Sequence, residues 1–514
     1  MIKNELIQLV KTLSGPEKRS FKLYCKKQSG PKDYLDLFEI IDQAPLNGES
    51  EWVKSQFKKK HPNKSFENTA QYLLRVTTDS LIQIRTSHDK WFQQYNSLMR
   101  TKVLFERSLL QEGYKELKRA QKLSDELQDN ITHYQACRLE LNYWSESGFS
   151  GMTEQDLVDM QMKAKSTLRL MHQIQEHYTL FELLRHRVIN AGNSISDTDK
   201  TKLNDLLISE LSLTTRGSQD NFESQKLYLL FQSFFFISVG DYTSSLKSFK
   251  ELNSLFELNE SIWNFPPYDY LSALEGILDS LRTIRYFNEM EYFINKVEKL
   301  LKQEYPEHFQ ANAKQIIYIY SLYVLVNQNK LYEAKQLVNF IPSVLLTNSN
   351  FSNYEKLMEL HYYAALTFFY LKEFQKSNQH INVIMTLGKV SNNSSIYKAS
   401  RLLHLLIHYE LDNMSYLEYE IRSYKRALKK SGKVLKIEWL ILKIIKLDPK
   451  RRSISKNRLT WKKMEKEVQA IALSKYEMQV LKYYDYNIWI RSKFEPAIIT
   501  KNNKLNNLQA QGLY

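Results

Sequence analysis

Apolar residues recur three or four positions apart along most of the chain, which predicts an all-helical protein. The clearest unit is Tyr228–Phe256, where an apolar helix, a turn at Gly240 and a second, amphipathic helix follow one another. The second helix carries the apolar residues Leu246, Phe249, Leu252 and Phe256 at helical spacing. This pattern predicts two antiparallel helices joined by a tight turn.

Related hairpins follow at separations of 40 to 45 residues. They align on a position early in each second helix, occupied by Ser245, Met290, Ala334, Ser377 and Leu417. The turn lies five residues earlier, at Gly240, Arg285, Asn329, Lys372 and Asp412, and a large apolar residue lies four residues later, at Phe249, Ile294, Val338, Ile381 and Ile421. Such a fixed pattern predicts stacked helix pairs, because no single pair can bury its apolar face alone.

The pattern divides the chain into five regions. Residues 1–100 are predicted to form a helical module, with a capping box from Ser14 to Glu17, and residues 101–220 to form hairpins of longer helices. The repeats occupy 221–428, basic capping helices occupy 429–500, and 501–514 are predicted to be disordered. Within the capping region we expect one amphipathic helix over Lys425–Lys446 and a final pair over Val468–Tyr486 and Asn487–Phe494.

Three stretches resemble tetratricopeptide (TPR) repeats. They are NQNKLYEAKQLVNFIP (Asn327–Pro342), VGDYTSSLKSF (Val239–Phe249) and YLKEFQKSNQHI (Tyr370–Ile381). The resemblance covers roughly 221–428, with a weaker echo at 111–123, and implies a right-handed superhelix of stacked antiparallel hairpins, a TPR-like solenoid. The start of the chain, LVKTLSGPEKRSFKLY, is similar to uncharacterised TPR-like proteins from Bacteroidetes, which brings no function with it.

The repeats depart from the TPR pattern in three respects. Their period is longer than the 34 residues of that family. The Trp and Leu-Gly of the family's first helix are missing, and Met290 and Leu417 replace its small residue. These departures limit the resemblance to the general architecture.

In a TPR-like solenoid the first helices line a concave groove. The residues that the resemblance carries onto this face predict a peptide-binding groove, formed by Phe234, Glu275, Asp279, Arg282, Tyr323, Asn327, Tyr362 and Tyr370. Tyrosine suits peptide docking because it combines a large contact area with a polar tip. The alternative is that these aromatic residues fill the core between the hairpins.

Composition favours a cytoplasmic protein. The two cysteines, Cys25 and Cys137, cannot form a disulfide framework in a chain of 514 residues. Glu5 and Gln8 interrupt the apolar core that a signal peptide needs. The longest apolar-rich run, Ile316–Val326, is about half of the ~20 residues that span a bilayer.

Positive charge is concentrated at the C-terminal end, where residues 425–514 hold 22 basic and 7 acidic residues. The predicted basic patch comprises Lys450, Arg451, Arg452, Lys456, Arg458, Lys462 and Lys463, with Trp461 among them as an aromatic residue for base stacking. Clustered cations bind phosphate by releasing counterions. The ligand of this patch could be nucleic acid, an acidic protein or an anionic membrane surface. The alternative is that the patch is a solvated face without a partner.

No catalytic motif is present, and no cofactor is predicted. His404 and His408 have the i, i+4 spacing of a metal pair, but the motif HLLIH lacks the glutamate of a zinc protease, and we expect both to be packing residues. The sequence therefore predicts a non-enzymatic scaffold that binds a protein or peptide segment on its concave face. The alternative is a nucleic-acid-binding or regulatory protein that uses its basic C-terminal region.

Overall fold

The structure, a computed structural model, describes residues 2–27, 32–44, 50–191, 197–215, 221–263, 265–347, 353–387, 394–431 and 434–494. Within these ranges every regular element is a helix, as the apolar spacing predicts. Successive helices pack against each other along the chain, so the protein is an all-α solenoid. The predicted tail 501–514 lies outside the described residues.

The N-terminal helices surround an apolar core of their own. They are α1 (Ile2–Thr12), α2 (Gly15–Lys26), α3 (Asp33–Gln43), α4 (Ser50–Lys60) and α5 (Phe66–His88). Phe21, Phe38 and Phe57 lie in this core. The predicted capping box is confirmed, since the Glu17 carboxylate accepts a hydrogen bond of 2.8 Å from the backbone N–H of Ser14.

Helices of 5 to 38 residues connect this core to the repeats. They are α6 (Lys90–Glu106), α7 (Leu110–Glu126), α8 (Asn130–Glu146), α9 (Glu154–Ala191), α10 (Asp197–Thr201) and α11 (Asn204–Thr215). Helix α9 is a single helix of 38 residues. It packs against α8 on one side and the first repeat helix on the other, which places the N-terminal half of the chain beside the repeats.

The five predicted hairpins are all present. Their helices are α12 (Phe222–Val239), α13 (Tyr242–Leu258), α14 (Tyr268–Ile284), α15 (Met290–Leu300), α16 (Glu307–Asn327), α17 (Leu331–Phe340), α18 (Ser343–Leu346), α19 (Tyr354–Tyr370), α20 (Phe374–Leu387), α21 (Ser395–Glu410) and α22 (Met414–Ser431). The short α18 follows the third pair, and the pairs begin at α12, α14, α16, α19 and α21.

The predicted turn register is confirmed by the backbone. All five turn residues have positive φ, at 79° for Gly240 and at 59°, 60°, 60° and 59° for Arg285, Asn329, Lys372 and Asp412. A left-handed residue after a helix lets its last carbonyl groups accept hydrogen bonds from the turn. Only the first of these turns carries glycine, so four of them hold an L-residue in a less favourable conformation.

The aligned position in each second helix is buried in every hairpin. In two hairpins it makes the same hydrogen bond across the pair: Ser245 Oγ donates to the Ser233 carbonyl at 3.1 Å, and Ser377 Oγ donates to the Ala365 carbonyl at 2.7 Å. In both hairpins the donor lies 12 residues after the acceptor, so the two helices of each pair pack in the same way.

The weaker echo near residue 111 has the same geometry. Ser108, between α6 and α7, has a φ of 59°, and Gly113 lies five residues later. A Cβ atom at Gly113 would lie 2.5 Å from the Phe105 ring, so the two helices pass each other where glycine leaves room. This hairpin therefore extends the repeat pattern toward the N-terminus.

The last helices are α23 (Lys436–Leu447), α24 (Ile454–Ala472), α25 (Met478–Leu481) and α26 (Tyr486–Phe494). Their apolar residues share one core with the repeats. The prediction of one helix over Lys425–Lys446 is wrong, because α22 and α23 are separate. The prediction of one helix over Val468–Tyr486 is also wrong, because the chain turns after Ala472.

The turn after Ala472 also accounts for the position at which α23 begins. Because the chain turns between α24 and α25, the Glu477 carboxylate reaches the first turn of α23. It accepts hydrogen bonds from the backbone N–H groups of Lys436, at 2.8 Å, and Ile437, at 3.1 Å. These donors have no partner inside the helix, so a remote carboxylate fixes where α23 begins.

None of the helices in the described ranges combines the length and the apolar character that a membrane-spanning helix requires.

The turn geometry predicts that Lys372→Gly raises the free energy of unfolding by about 0.5–1 kcal/mol, because glycine adopts positive φ without steric cost. The matched change Lys247→Gly, at an exposed position inside α13, should lower it by about 1 kcal/mol. Urea unfolding of both variants measures the difference. Equal destabilisation by both changes would contradict the left-handed turn.

Candidate functional site

The concave face of the repeats is occupied by residues 475–494 of the same chain, here called the C-terminal segment. Helix α25 packs against α14 and α21, which are first helices of the repeats. Helix α26 then packs against α23 and α24. The surface predicted to hold a partner peptide is thus covered by the chain itself.

A buried cluster of charges joins the C-terminal segment to this face. Arg282 is 1% exposed, and its guanidinium donates hydrogen bonds to Glu359 at 2.9 Å and to Asp279 at 3.2 Å. From the C-terminal segment, the Lys482 ammonium donates to both carboxylate oxygens of Asp279, at 2.8 and 2.9 Å. Tyr483 OH donates to Glu359 at 3.2 Å. Two cations and two carboxylates therefore neutralise each other inside the stack.

The ionisation of this cluster follows from its geometry. Burial alone would raise the pKa of the Asp279 carboxyl, but the charges of Lys482 and Arg282 and their hydrogen bonds hold that pKa well below its usual range. The ring of Tyr483 lies over the Arg282 guanidinium, with the guanidinium carbon 4.7 Å from its centroid. This cation–π contact adds to the ion pairs that stabilise the charged form of Arg282.

Further contacts continue along the C-terminal segment. Tyr486 OH donates to the Ala399 carbonyl at 2.8 Å and lies 3.2 Å from Tyr362 OH. The Trp489 indole N–H donates to Glu410 at 2.8 Å. Since Tyr362, Tyr486 and Trp489 are buried, the segment forms part of the folded core.

The predicted groove residues fall into two groups. Asp279, Arg282, Tyr323, Tyr362 and Tyr370 lie together under the C-terminal segment. Tyr323 OH donates to the Arg282 carbonyl at 2.9 Å, and Tyr370 packs against the Tyr484 ring at 5.8 Å. Their polar groups are used by the chain itself.

The remaining groove residues contact the repeat helices or α9 rather than the C-terminal segment. Glu275 forms an ion pair of 2.8 Å with Lys356 of α19, and the Asn327 amide donates to the Tyr323 carbonyl at 2.8 Å. Phe234 packs between Phe181 of α9 and Phe249 of α13. The structure therefore does not bring these three residues together.

An open cleft of about 1700 Å³ lies where the N-terminal helices approach the repeats. Its wall combines the α1–α2 turn, the α5–α6 corner, the α7–α8 turn, one face of α9, the start of α12, and the loops before α14 and α16. This cleft could not be predicted from the sequence, because its walls come from segments that are far apart in the chain.

Aromatic side chains are frequent in the cleft wall: Trp91, Phe92, Tyr95, Tyr178, Phe222, Phe256, Trp263, Phe265, Tyr270 and Tyr305. Two of them expose large apolar area, Trp91 at 47% and Phe265 at 49%. The Arg85 guanidinium carbon lies 5.1 Å from the Phe265 ring centroid and so joins the two sides of the cleft. Exposed aromatic rings in a concave site are typical of a binding surface.

Acidic side chains outnumber basic ones in the same wall. The acidic members are Glu17, Asp89, Asp129, Glu223, Asp269, Glu304 and Glu307, and the basic members are Arg85, Lys90, Lys226 and Lys314. Lys226 is buried between Glu223 and Asp269, at 2.8 Å from each. Burial would lower the pKa of Lys226, but these two carboxylates raise it above its usual value, so the lysine stays charged.

The predicted basic patch is divided in the structure. Lys450 pairs with Glu410 at 3.1 Å, and Arg451 pairs with Asp412 at 3.3 Å. The other members, Arg452, Lys456, Arg458, Lys462 and Lys463, are exposed on α24 and the residues before it.

The assignment of Trp461 as an exposed stacking residue is wrong. Its side chain is 2% exposed and stacks on Phe494, because α24 turns this face toward α26. The exposed tryptophan of this region is Trp439 on α23.

Four of the histidine residues form two pairs, in which His380 is half-buried and the other three are buried. His404 and His408 have Nε2 atoms 3.0 Å apart, and His361 and His380 have Nδ1 atoms 3.0 Å apart. Asn413 Nδ2 donates to His408 Nδ1, which places the His408 proton on Nε2, directed at His404. This arrangement is a hydrogen bond between neutral rings. Within the described ranges, no three His, Cys, Asp or Glu side chains converge on a point that could hold a metal ion.

No protein family matches this sequence, and no curated protein is significantly similar to it.

We expect Arg282→Leu to lower the free energy of unfolding by about 3–5 kcal/mol, because it leaves Glu359 buried without its cationic partner. The control is Arg187→Leu, which removes an exposed ion pair of 2.7 Å with Asp205 and should cost about 0–1 kcal/mol. Urea unfolding compares the two variants. Similar small losses in both would show that Arg282 is not part of a buried charge cluster.

The histidine pairs predict acid sensitivity. Burial and then the neighbouring His361 lower the pKa of His380 to about 4, and burial and then His408 and Arg401 lower that of His404 to about 3. In the unfolded chain both titrate near pH 6.5. Since the unfolded state then binds more protons, stability falls as the pH drops from about 6.5 to about 4.

Each of these two histidines contributes a slope of up to about 1.4 kcal/mol per pH unit. Urea unfolding at pH 7, 6 and 5 measures the total slope, and His380→Phe should make it shallower by one histidine's share. An unchanged slope in that variant would contradict a neutral, half-buried His380.

Proposed function

We propose that this protein is a non-enzymatic scaffold that binds a segment of another protein in the open cleft. The observation that carries the proposal is the cleft itself, about 1700 Å³ in volume, with exposed aromatic rings of Trp91 and Phe265 in its wall. The concave face is a weaker candidate, because the C-terminal segment fills it. The cleft, by contrast, leaves the rings of Trp91 and Phe265 open to a partner.

The partner in this proposal is a peptide segment with apolar and basic side chains. The rings of Trp91, Tyr95 and Phe265 offer flat surfaces for apolar groups and for cations. Exposed carboxylates of Glu304 and Glu307, beside the cleft at the start of α16, favour lysine or arginine over acidic residues. A segment of several residues fits better than a small molecule, since the wall is assembled from many loops.

The proposal includes a TPR-like family relationship and a cytoplasmic location. The five left-handed turns and the buried aligned positions support a repeat architecture of this kind. Cys25 and Cys137 are buried free thiols in separate parts of the fold, as in proteins of reducing compartments.

Selection of a displayed library of random 12-residue peptides against the intact protein tests the proposal. We expect enrichment of sequences that combine aromatic or aliphatic residues with lysine or arginine. Trp91→Ala should weaken the enriched peptides at least tenfold, because it removes a central aromatic contact. The control Tyr332→Ala removes an exposed aromatic ring on α17, outside the cleft, and should leave their affinity unchanged.

Two outcomes would contradict this function. One is the absence of any enriched peptide sequence. The other is equal affinity of the enriched peptides for wild type and Trp91→Ala, which would place their binding outside the cleft.

A further inference from the structure

The outer face of α23 has an unusual composition. Ile437, Leu440, Ile441, Ile444 and Ile445 point into the core, with Glu438 and Leu442 also buried. The exposed positions of the helix are Lys436, Trp439, Lys443 and Lys446. Their spacing of three, four and three residues places them on one side of the helix. They form a stripe about 15 Å long at 1.5 Å per residue.

Helix α22 adds two lysines to this stripe. The Lys425 ammonium lies 5.7 Å from the centroid of the Trp439 ring, which is 45% exposed. Contact with the Lys446 ammonium, then burial, and then the charge of Lys429 lower the pKa of Lys425. We call the six residues Lys425, Lys429, Lys436, Trp439, Lys443 and Lys446 the lysine–tryptophan surface.

The acidic groups near this surface face away from it or compensate little of its charge. Glu438 is buried, where it accepts hydrogen bonds from Tyr424 OH at 2.6 Å and from the Leu435 N–H at 2.8 Å. Glu477 caps the start of α23. Glu467 of α24 is 3.7 Å from Lys443, and both side chains are largely exposed. Among the described residues, no carboxylate forms a salt bridge with Lys425, Lys436 or Lys446.

Neighbouring ammonium groups repel each other, even in water. A ligand that places an anion between Lys425 and Lys446 removes this repulsion. An anionic ligand that also carries a flat ring gains from stacking on Trp439. Phosphate and ring occur together, repeatedly, in a nucleic acid strand.

We propose that the lysine–tryptophan surface binds single-stranded nucleic acid, with phosphates at the lysines and a base stacked on Trp439. The charge of the surface and the exposed ring at its centre favour this ligand over the alternatives. An acidic peptide would use the lysines but does not require the ring. An anionic membrane requires a broader apolar face than the single indole of this stripe. This inference goes beyond the peptide-binding function and uses a different surface.

Fluorescence anisotropy with labelled U12 and dT12 oligonucleotides tests the proposal on the full chain. Wild type should bind, and its affinity should fall as salt rises. The slope of log affinity against log salt concentration should be about −0.7 for each phosphate neutralised on a single strand. The double change Lys425→Gln/Lys446→Gln should weaken binding at least tenfold and reduce this slope by about 1.4. Trp439→Ala should weaken binding about 5- to 100-fold and leave the slope unchanged.

The control is Lys58→Gln/Lys59→Gln, which removes the same charge from exposed positions of α4 and should change binding little. A poly-glutamate 12-mer and phosphatidylserine vesicles distinguish the other polyanions, and neither should depend on Trp439. Three results would overturn the proposal: no oligonucleotide binding at 50 mM salt, equal binding by wild type and Trp439→Ala, or equal effects of the α4 and Lys425/Lys446 changes.

Discussion

A guanidinium buried inside a stack of helices constrains this whole structure. Arg282 lies at the end of α14, where water cannot reach it, so its charge requires carboxylates close by. Asp279 and Glu359 supply them, and the two carboxylates in turn require Lys482 and Tyr483 from the C-terminal segment. The charge cluster therefore ties the C-terminal segment to the repeats. Without that segment, Asp279 would face the interior with one cation fewer.

This constraint decides which surfaces are available to partners. Because the C-terminal segment covers the concave face, the repeats do not offer the open groove that their architecture suggests. In the same segment Glu477 caps the start of α23, whose exposed side carries Lys436, Trp439 and Lys443. The open cleft, with an acidic and aromatic wall, lies elsewhere in the fold. We infer a scaffold with two surfaces of opposite charge, suited to different ligands.

The repeats could be predicted from sequence because their signals are local. A turn residue, a buried position five residues later and an apolar residue four further on recur within each hairpin, as at Lys372, Ser377 and Ile381. The backbone conformation of each turn needs only its neighbours. This is why the helices, their pairing and the turn register follow from the pattern of apolar residues, even where the turn residue is not glycine.

The functional surfaces could not be predicted in the same way, because they depend on contacts between distant residues. Asp279 and Lys482 are 203 positions apart, and no sequence pattern links them. Trp461 and Trp439 are both surrounded by lysines in the sequence, yet only the second is exposed. The difference arises from packing, because α24 turns Trp461 toward α26 whereas Trp439 lies on the exposed side of α23. The aromatic run at Tyr483–Tyr486 was the available sign of burial in this basic region.

The occupied concave face is the central claim, and hydrogen–deuterium exchange of the intact protein tests it most directly. If the C-terminal segment is part of the core, the amides of α25 and α26 should exchange about as slowly as those of α19 and α21, which lie beneath them. Exchange of α25 and α26 within seconds, while α19 and α21 remain protected, would contradict the claim and return the concave face to the surfaces open to a partner.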